Sequence, residues 1–322
     1  MKSIFTILIA YSASLTVHAQ NPDKALARVR YSFSHIQDTT QKDKPYTENM
    51  LLVIGKNASV YTSYDKINRN LEMEKQVQEQ LKNQAGMNNV SIKIGNPGSP
   101  GKQTTPLDYF FYAKENKFFT KERIFNNYLI EEDAPTINWK ITKDTASFSG
   151  IKCQKAIANF KGRIWTAWFA PDMPFQSGPW KLNGLPGLII EAVDQTKTVR
   201  FQFAGIENVI PEETKTVEKE GPKIITPGGG TLQMASIMGM DGNSYLGAEI
   251  KLPTDAIKTS KKELDKLKEA RDKDPQGFMN AQMAAQGMQV GNVVRTAKVV
   301  TSGADIKKIV LNNPIELPEK GK

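Results

Sequence analysis

Between residues 151 and 204 apolar and polar side chains alternate with a period of two, which is the pattern of a strand that buries one face. In the stretch 198–204, Val199, Phe201 and Phe203 fall on one side, with Arg200 and Gln202 on the other. Ile151–Phe160 and Arg163–Ala170 are predicted to pair as a hairpin about Lys161-Gly162, because glycine tolerates the positive φ of a tight primed turn. That register sets Ala158 opposite Trp165, Lys155 opposite Trp168 and Cys153 opposite Ala170. A second hairpin joins 188–193 to 198–204 around Asp194 to Lys197. Upstream, Val29, Tyr31 and Phe33 share a strand face, and MLLVIGKNASVYTSY reads as two strands about Gly55-Lys56-Asn57. YFFYAKENKFF, KERIF and YLIEED add more, with a turn near Asn116, and KKIVLNNPIELP reads as a closing strand.

The pattern therefore predicts a mainly β chain, a β-rich α+β fold. Its centre is a curved antiparallel sheet or half-barrel of about eight to ten strands. Two helical insertions interrupt it, at 65–85 and 260–290. In the first, Ile67, Leu71, Glu74, Val77 and Leu81 share a mixed face, and a Gly- and Pro-rich loop follows, so 65–106 is a helix–loop insertion. In the second, Ser260-Lys-Lys-Glu263 is a capping box and Pro275 breaks the helix in two. The whole of 211–305 reads as a polar, Met-rich elaboration, and 20–322 as a single β-rich domain.

The first twenty residues, MKSIFTILIAYSASLTVHAQ, have the layout of a secretory signal peptide. Lys2 gives the positive start, an apolar run follows, and Val17-His18-Ala19 is a small-residue exit before Gln20. Residues 1–19 are read as that leader. No later run reaches the twenty or so apolar residues of a membrane helix. The expected address is the periplasm or the outer membrane, or release from the cell. The formal charge of +9 is scattered and mixed in sign. With export, it points to mild attraction to anionic envelope surfaces and away from nucleic acid.

Chemistry is scarce. One cysteine rules out an internal disulfide framework, an iron–sulfur cluster and a cysteine-built zinc site. After removal of His18 with the leader, any His-based triad must use His35, which carries no local signature and reads as a surface or strand-edge residue. Walker, dinucleotide and H-E-x-x-H motifs are absent. Glu131 and Glu132 are adjacent on a strand, so their carboxylates diverge. The sequence thus predicts a non-catalytic chain without a cofactor. Two alternatives stay open. Cys153, flanked by Lys152 and Lys155, serves a thiol or redox role if exposed, although its strand face with Ile151, Ile157 and Trp168 favours an inert buried thiol. The methionines Met234, Met238, Met240, Met279, Met283 and Met288 could hold Cu(I), although Met279 and Met283 are one helical turn apart and packing accounts for them.

The segment WTAWFAPDMPFQSGPWKLNGLPGLIIE is the most unusual. Trp165 and Trp168 occupy opposite strand faces, and Pro171, Pro174, Pro179 and Pro186 fix φ along the loop. It reads either as a braced crossover sealing one end of the sheet or as a rigid ligand platform. The platform would consist of Trp165, Trp168, Trp180 and the turn Gly184-Leu185-Pro186-Gly187-Leu188.

Gly184 to Ile189 spells GLPGLI, and the chain resembles the GLPGLI family of Bacteroidetes envelope proteins. Trp139-Lys140-Ile141, the run 150–156 containing Cys153, Phe160 to Arg163, Ala167-Trp168-Phe169, Gly178-Pro179-Trp180 and the closing Asn313-Pro314-Ile315-Glu316-Leu317 carry the same resemblance. It is strongest over about 109–206. It implies export and a partner in the envelope, a small ligand or a protein, with TonB-dependent outer-membrane transport as one setting. It implies no catalytic residues.

Overall fold

The computed structural model describes residues 22–83, 103–210, 223–225, 231–233, 245–285 and 311–318. The leader, most of the loop at 86–106, and Met234, Met238, Met240 and Met288 lie outside the described residues.

Alternation becomes sheet where it was expected. In chain order the strands are β1 (Asp23–Lys24), β2 (Ala27–His35), β3 (Tyr46–Ile54), β4 (Ala58–Ser63), β5 (Leu107–Tyr112), β6 (Lys117–Arg123), β7 (Asn127–Asp133) and β8 (Lys140–Phe148). They continue as β9 (Ile151–Phe160), β10 (Arg163–Ala170), β11 (Leu188–Asp194), β12 (Val199–Asn208), β13 (Lys223–Ile225), β14 (Thr231–Gln233), β15 (Glu249–Ile250) and β16 (Ile257–Lys258). Twelve of these form one sheet in the order β16-β7-β6-β5-β4-β3-β2-β12-β11-β10-β9-β8. This exceeds the expected strand count, in part because a two-residue strand, β16, adds to β7 in parallel. Two antiparallel meanders, β2 to β7 and β8 to β12, are joined where β12 pairs with β2 from Val199↔His35 to Asn208↔Ala27. The predicted hairpin register holds, with Trp165 opposite Ala158 and Trp168 opposite Lys155. At its turn Lys161 and Gly162 both take positive φ, 50° and 70°, as a primed turn needs.

The sheet is open, and it curls. Eight strand steps separate β6 from β9, roughly 38 Å if flat at the usual strand spacing. Yet Trp180, in the loop after β10, lies 5.7 Å from the Phe160 ring of β9 and lines a crevice with Phe118 of β6. Only a strongly curved sheet brings both within reach of one indole. Register shifts at Trp168/Phe169, Phe203/Gly205 and Ile141/Thr145 are the local bends that permit it.

The inner face holds the larger core, in which Tyr31, Met50, Leu52, Phe169, Trp165 and Phe201 are almost fully buried. The outer face of the first meander holds a second core around Leu51, Val53, Val60, Phe110 and Phe119. Helix α1 (Tyr64–Asn83) leaves β4, and β5 pairs antiparallel beside β4. The buried stripe of α1 runs through Ile67, Asn70 and Val77, and Leu71, expected on that face, is exposed. The helix is rotated because Asp65 and Lys66 are tied to the sheet: Asp65 accepts from Asn49 at 2.8 Å, and Lys66 pairs with the buried Asp108 at 2.6 Å. Helix α2 (Lys261–Lys273) starts at Ser260 with the predicted reciprocal capping box, and α3 (Pro275–Ala285) follows the break.

The chain end departs from expectation. Among described residues, 311–318 form no strand. Pro314 has no N–H to give a ladder. The segment crosses the end of the sheet instead, held by side chains described below.

Candidate functional site

The loop from Pro171 to Gly187 folds into a corner over the concave face. Gly178 packs so closely that a Cβ there would sit 2.5 Å from the Leu182 carbonyl oxygen, and a Cβ on Gly187 would sit 2.2 Å from that of Ala170. Backbone bonds close it: Leu182 N–H to the Pro179 carbonyl, Gly187 N–H to Leu185, and Ile189 N–H to Ser177. The Trp139 indole donates to the Asn183 carbonyl at 2.7 Å. Trp180 is the pivot. It is buried, its ring is 5.7 Å from that of Trp165, and it takes φ 57°, a left-handed conformation uncommon for a bulky residue.

Of the predicted platform, Trp165, Trp180, Leu185, Gly187 and Leu188 are buried and serve as packing. Their aromatic and branched surfaces fill the inner core, and the Trp165 indole donates to the Phe160 carbonyl at 3.1 Å. Gly184 and Pro186 are exposed between them. Trp168 lies on the outer face, half-buried against Phe148 at 5.6 Å, with the Lys155 ammonium 6.0 Å from its ring centre. Residues 158–191 match a family described as "Protein of unknown function (Porph_ging)". No curated protein matches the chain. Among solved structures, PNGF-II in a P21 crystal form aligns with a TM-score of 0.38 and 11% identity over 58% of this chain. The same protein in a C2 form gives 0.39, 12% and 58%. The chain spans under a third of those proteins' length, 29% and 28%. The family match covers the end of β9, β10, the corner and the start of β11.

Beneath the corner lies a crevice walled by Leu52, Ser59, Tyr61, Tyr109, Phe111 and Phe118 from the sheet, and by the corner's 177–183. Burial raises the Tyr61 and Tyr109 hydroxyls well above the ordinary tyrosine range, so both keep their protons.

The reactive groups lie elsewhere and are tied into structure. Cys153 is buried, and burial first, then the Glu191 carboxylate, pushes its thiol up to about 11. His35, expected as a surface or strand-edge residue, is buried at the end of β2, where its Nε2 meets the Asn313 carbonyl at 2.7 Å. Arg163 is the hub of that cluster. Its guanidinium donates to Asp194, Thr198, the Asn313 side chain and the carbonyls of Pro314 and Ile315, all between 2.7 and 3.1 Å. Burial opposes ionisation of Asp194, but bonds from Thr196, the Val199 N–H and Arg163 outweigh it and hold the carboxyl below its usual range. This clasp is what returns the chain end to the sheet. No motif signals it; the signal is parity, since Ala27, Val29, Tyr31, Phe33 and His35 occupy one buried face.

A second buried set anchors α1. Asp108 accepts from Thr62 at 2.5 Å and Tyr245 at 2.8 Å, between Lys66 and Lys121. Glu48 accepts from Ser63, from Tyr46 at 2.6 Å and from the Thr105 N–H at 2.9 Å. Glu131 and Glu132 are both exposed, and Glu131 pairs with Lys117 and Lys258. Among described residues no group of acidic, His and Cys side chains converges to hold a metal. Met279 is exposed on α3. No helix among the described residues is long and apolar enough to cross a membrane.

Proposed function

We propose that the chain is an exported, non-catalytic binding or accessory protein of the bacterial cell envelope, and that it engages its partner through the ridge of the corner. The leader layout of residues 1–19 supports the address. The fate of the reactive groups supports the absence of catalysis: the thiol is buried and protonated, the histidine holds the chain end, and Glu48, Asp108 and Asp194 have their oxygens occupied by structural donors. One observation carries the binding reading. Gly184 and Pro186 are exposed on a frame whose neighbours Leu185 and Gly187 are locked in the core. A ridge fixed before contact loses little conformational entropy on docking. The GLPGLI resemblance suggests the class of partner, an envelope protein or small ligand of the kind that serves TonB-dependent transport.

The test is a photo-crosslinking residue placed at Pro186, and for comparison at the exposed Glu132, in intact cells. A discrete adduct from position 186 and none from 132 is expected. The same adducts from both positions would overturn the reading. So would a purified sample that turns over a substrate and loses that turnover in Cys153→Ala or His35→Gln.

A further inference from the structure

The closing segment, 311–318, lies against the end of the sheet much as a bound peptide lies in its receptor. The polar contacts that hold it come from distant parts of the chain: the end of β2, the start of β10 and the corner. Asn313 sits deepest, at 8% exposed. Its backbone N–H donates to the Gln37 carbonyl at 3.1 Å. Its side-chain amide donates to the Ile36 carbonyl and accepts from Arg163, both at 2.7 Å. Arg163 also reads the two carbonyls that follow, those of Pro314 and Ile315. Pro314 brings no N–H that would need an acceptor there. Farther on, the Glu316 carboxylate lies 2.8 Å from Lys181 and 3.6 Å from Lys161. Main-chain bonds that hold a segment, with dedicated partners for chosen side chains, are the features of a peptide-recognition site.

Little else holds the segment. Asn313 is its only buried residue, Leu311 is 57% exposed, and Ile315 is half-buried against the inner core. A segment attached mainly by hydrogen bonds, each of modest net worth, opens locally without unfolding what it rests on. Its departure leaves Arg163 and Asp194 paired at 2.9 Å. It takes away Glu316, the only charged side chain of 311–318 and the carboxylate that Lys161 and Lys181 share. The opened site therefore presents two ammonium groups, a charge that favours an acidic occupant.

We propose that the end of the sheet is a recognition site for an acidic peptide segment of a partner protein, and that residues 312–317 are its resident, self-inhibiting occupant. The partner's segment presents a side-chain amide to Arg163 and the Ile36 carbonyl, a proline after it, and carboxylates to Lys161 and Lys181. A second copy of this chain gains nothing by exchange, since each copy already makes these contacts within itself at the high effective concentration of a tether. A partner gains where it brings a second carboxylate, because two lysines here share one. The site does not use the ridge at Gly184 and Pro186, so either idea can fail alone.

The probe is a fluorescent synthetic peptide with the sequence of 311–318, added to the full chain. Two variants loosen the resident segment from different sides, Asn313→Ala at the deep anchor and Glu316→Gln at the half-exposed rim, so a folding defect in the first leaves the second. Anisotropy should show saturable binding to both. It should be tighter than to the parent by about tenfold for Asn313→Ala and about threefold for Glu316→Gln. A peptide carrying Pro318→Glu should bind tighter still, and Lys161→Gln with Lys181→Gln in the same chain should cancel that gain. No binding to either loosened variant, no gain from the added carboxylate, or a gain that ignores the two lysines shows that the segment is a fixed brace and overturns the proposal. A parent dimer that builds up with concentration and is lost in Asn313→Ala would give the site to a second copy, and would overturn it equally.

Discussion

His35 shows how far one residue's surroundings can redirect it. Burial lowers its pKa below the ordinary 6.5, and the Arg163 guanidinium lowers it further, against the Asn313 carbonyl and Asp194, which raise it. The ring is therefore neutral in the folded protein at a pH where the unfolded chain already binds a proton. Its contribution is fully present above pH 6.5 and is lost as the pH falls from there through the depressed folded value. Asp194, depressed in its turn, loses its contribution lower, below the ordinary carboxylate range. Urea titrations across pH 4.5–7.5 should show stability falling on the acid side, and His35→Gln should flatten the upper part of that fall. A parent-like slope in the variant would place the titration elsewhere. The position was legible in the sequence by parity, because His35 continues the buried face of β2. Its residue type pointed the other way, and type is the weaker guide when alternation is unbroken.

The β9–β10 hairpin shows what an element needs beyond its own pattern. Its register and its turn followed from alternation and one glycine, since both are local. What the turn touches did not, because Leu317 lies far along the chain. In the fold, the Leu317 N–H donates to the Lys161 carbonyl, and a Cβ on Gly162 would lie 2.5 Å from the Leu317 carbonyl oxygen. Gly162→Ala therefore meets two penalties, a positive φ of 70° and a collision with the closing segment. Destabilisation of about 2 kcal/mol or more is expected, above the cost of a strained φ alone. Limited proteolysis should cut near 311–318 sooner than in the parent. Equal cleavage rates would show that the segment does not depend on the turn. The corner was legible in the same partial way. Its prolines and tryptophans announced stiffness, and the packing of Trp165 was one of the two readings. The left-handed Trp180 carries no local signal, because Gly178-Pro179-Trp180-Lys181 is compatible with ordinary turns.

At the scale of the molecule, the decisive contacts are those that no window of sequence contains. Alternation predicts strands, and it predicts which side of each is dry, but it is silent on the order β2-β12 that joins the meanders. It is silent too on the curl that brings β6 and β9 within reach of one indole. Three links cross the join: the β2–β12 ladder, the Tyr31 hydroxyl bonded to the Ile189 carbonyl at 2.6 Å, and the chain end bound to both His35 and Arg163. Lys181 adds a fourth. It pairs with Glu316 at 2.8 Å and lies 5.8 Å from the centre of the Phe118 ring. Links of this number predict that both meanders unfold together. The chain offers a separate probe for each. Its four tryptophans, at 139, 165, 168 and 180, report β8 to β11 and the corner. Helical circular dichroism reports α1, which packs on the first meander through Ile67, with α2 and α3. In a urea titration, tryptophan emission and ellipticity at 222 nm should trace one coincident transition, the mark of a two-state unit. An ellipticity loss well below the tryptophan midpoint would instead mean that the first meander and its helices form a cooperative unit of their own, with the β2–β12 seam as a boundary between two.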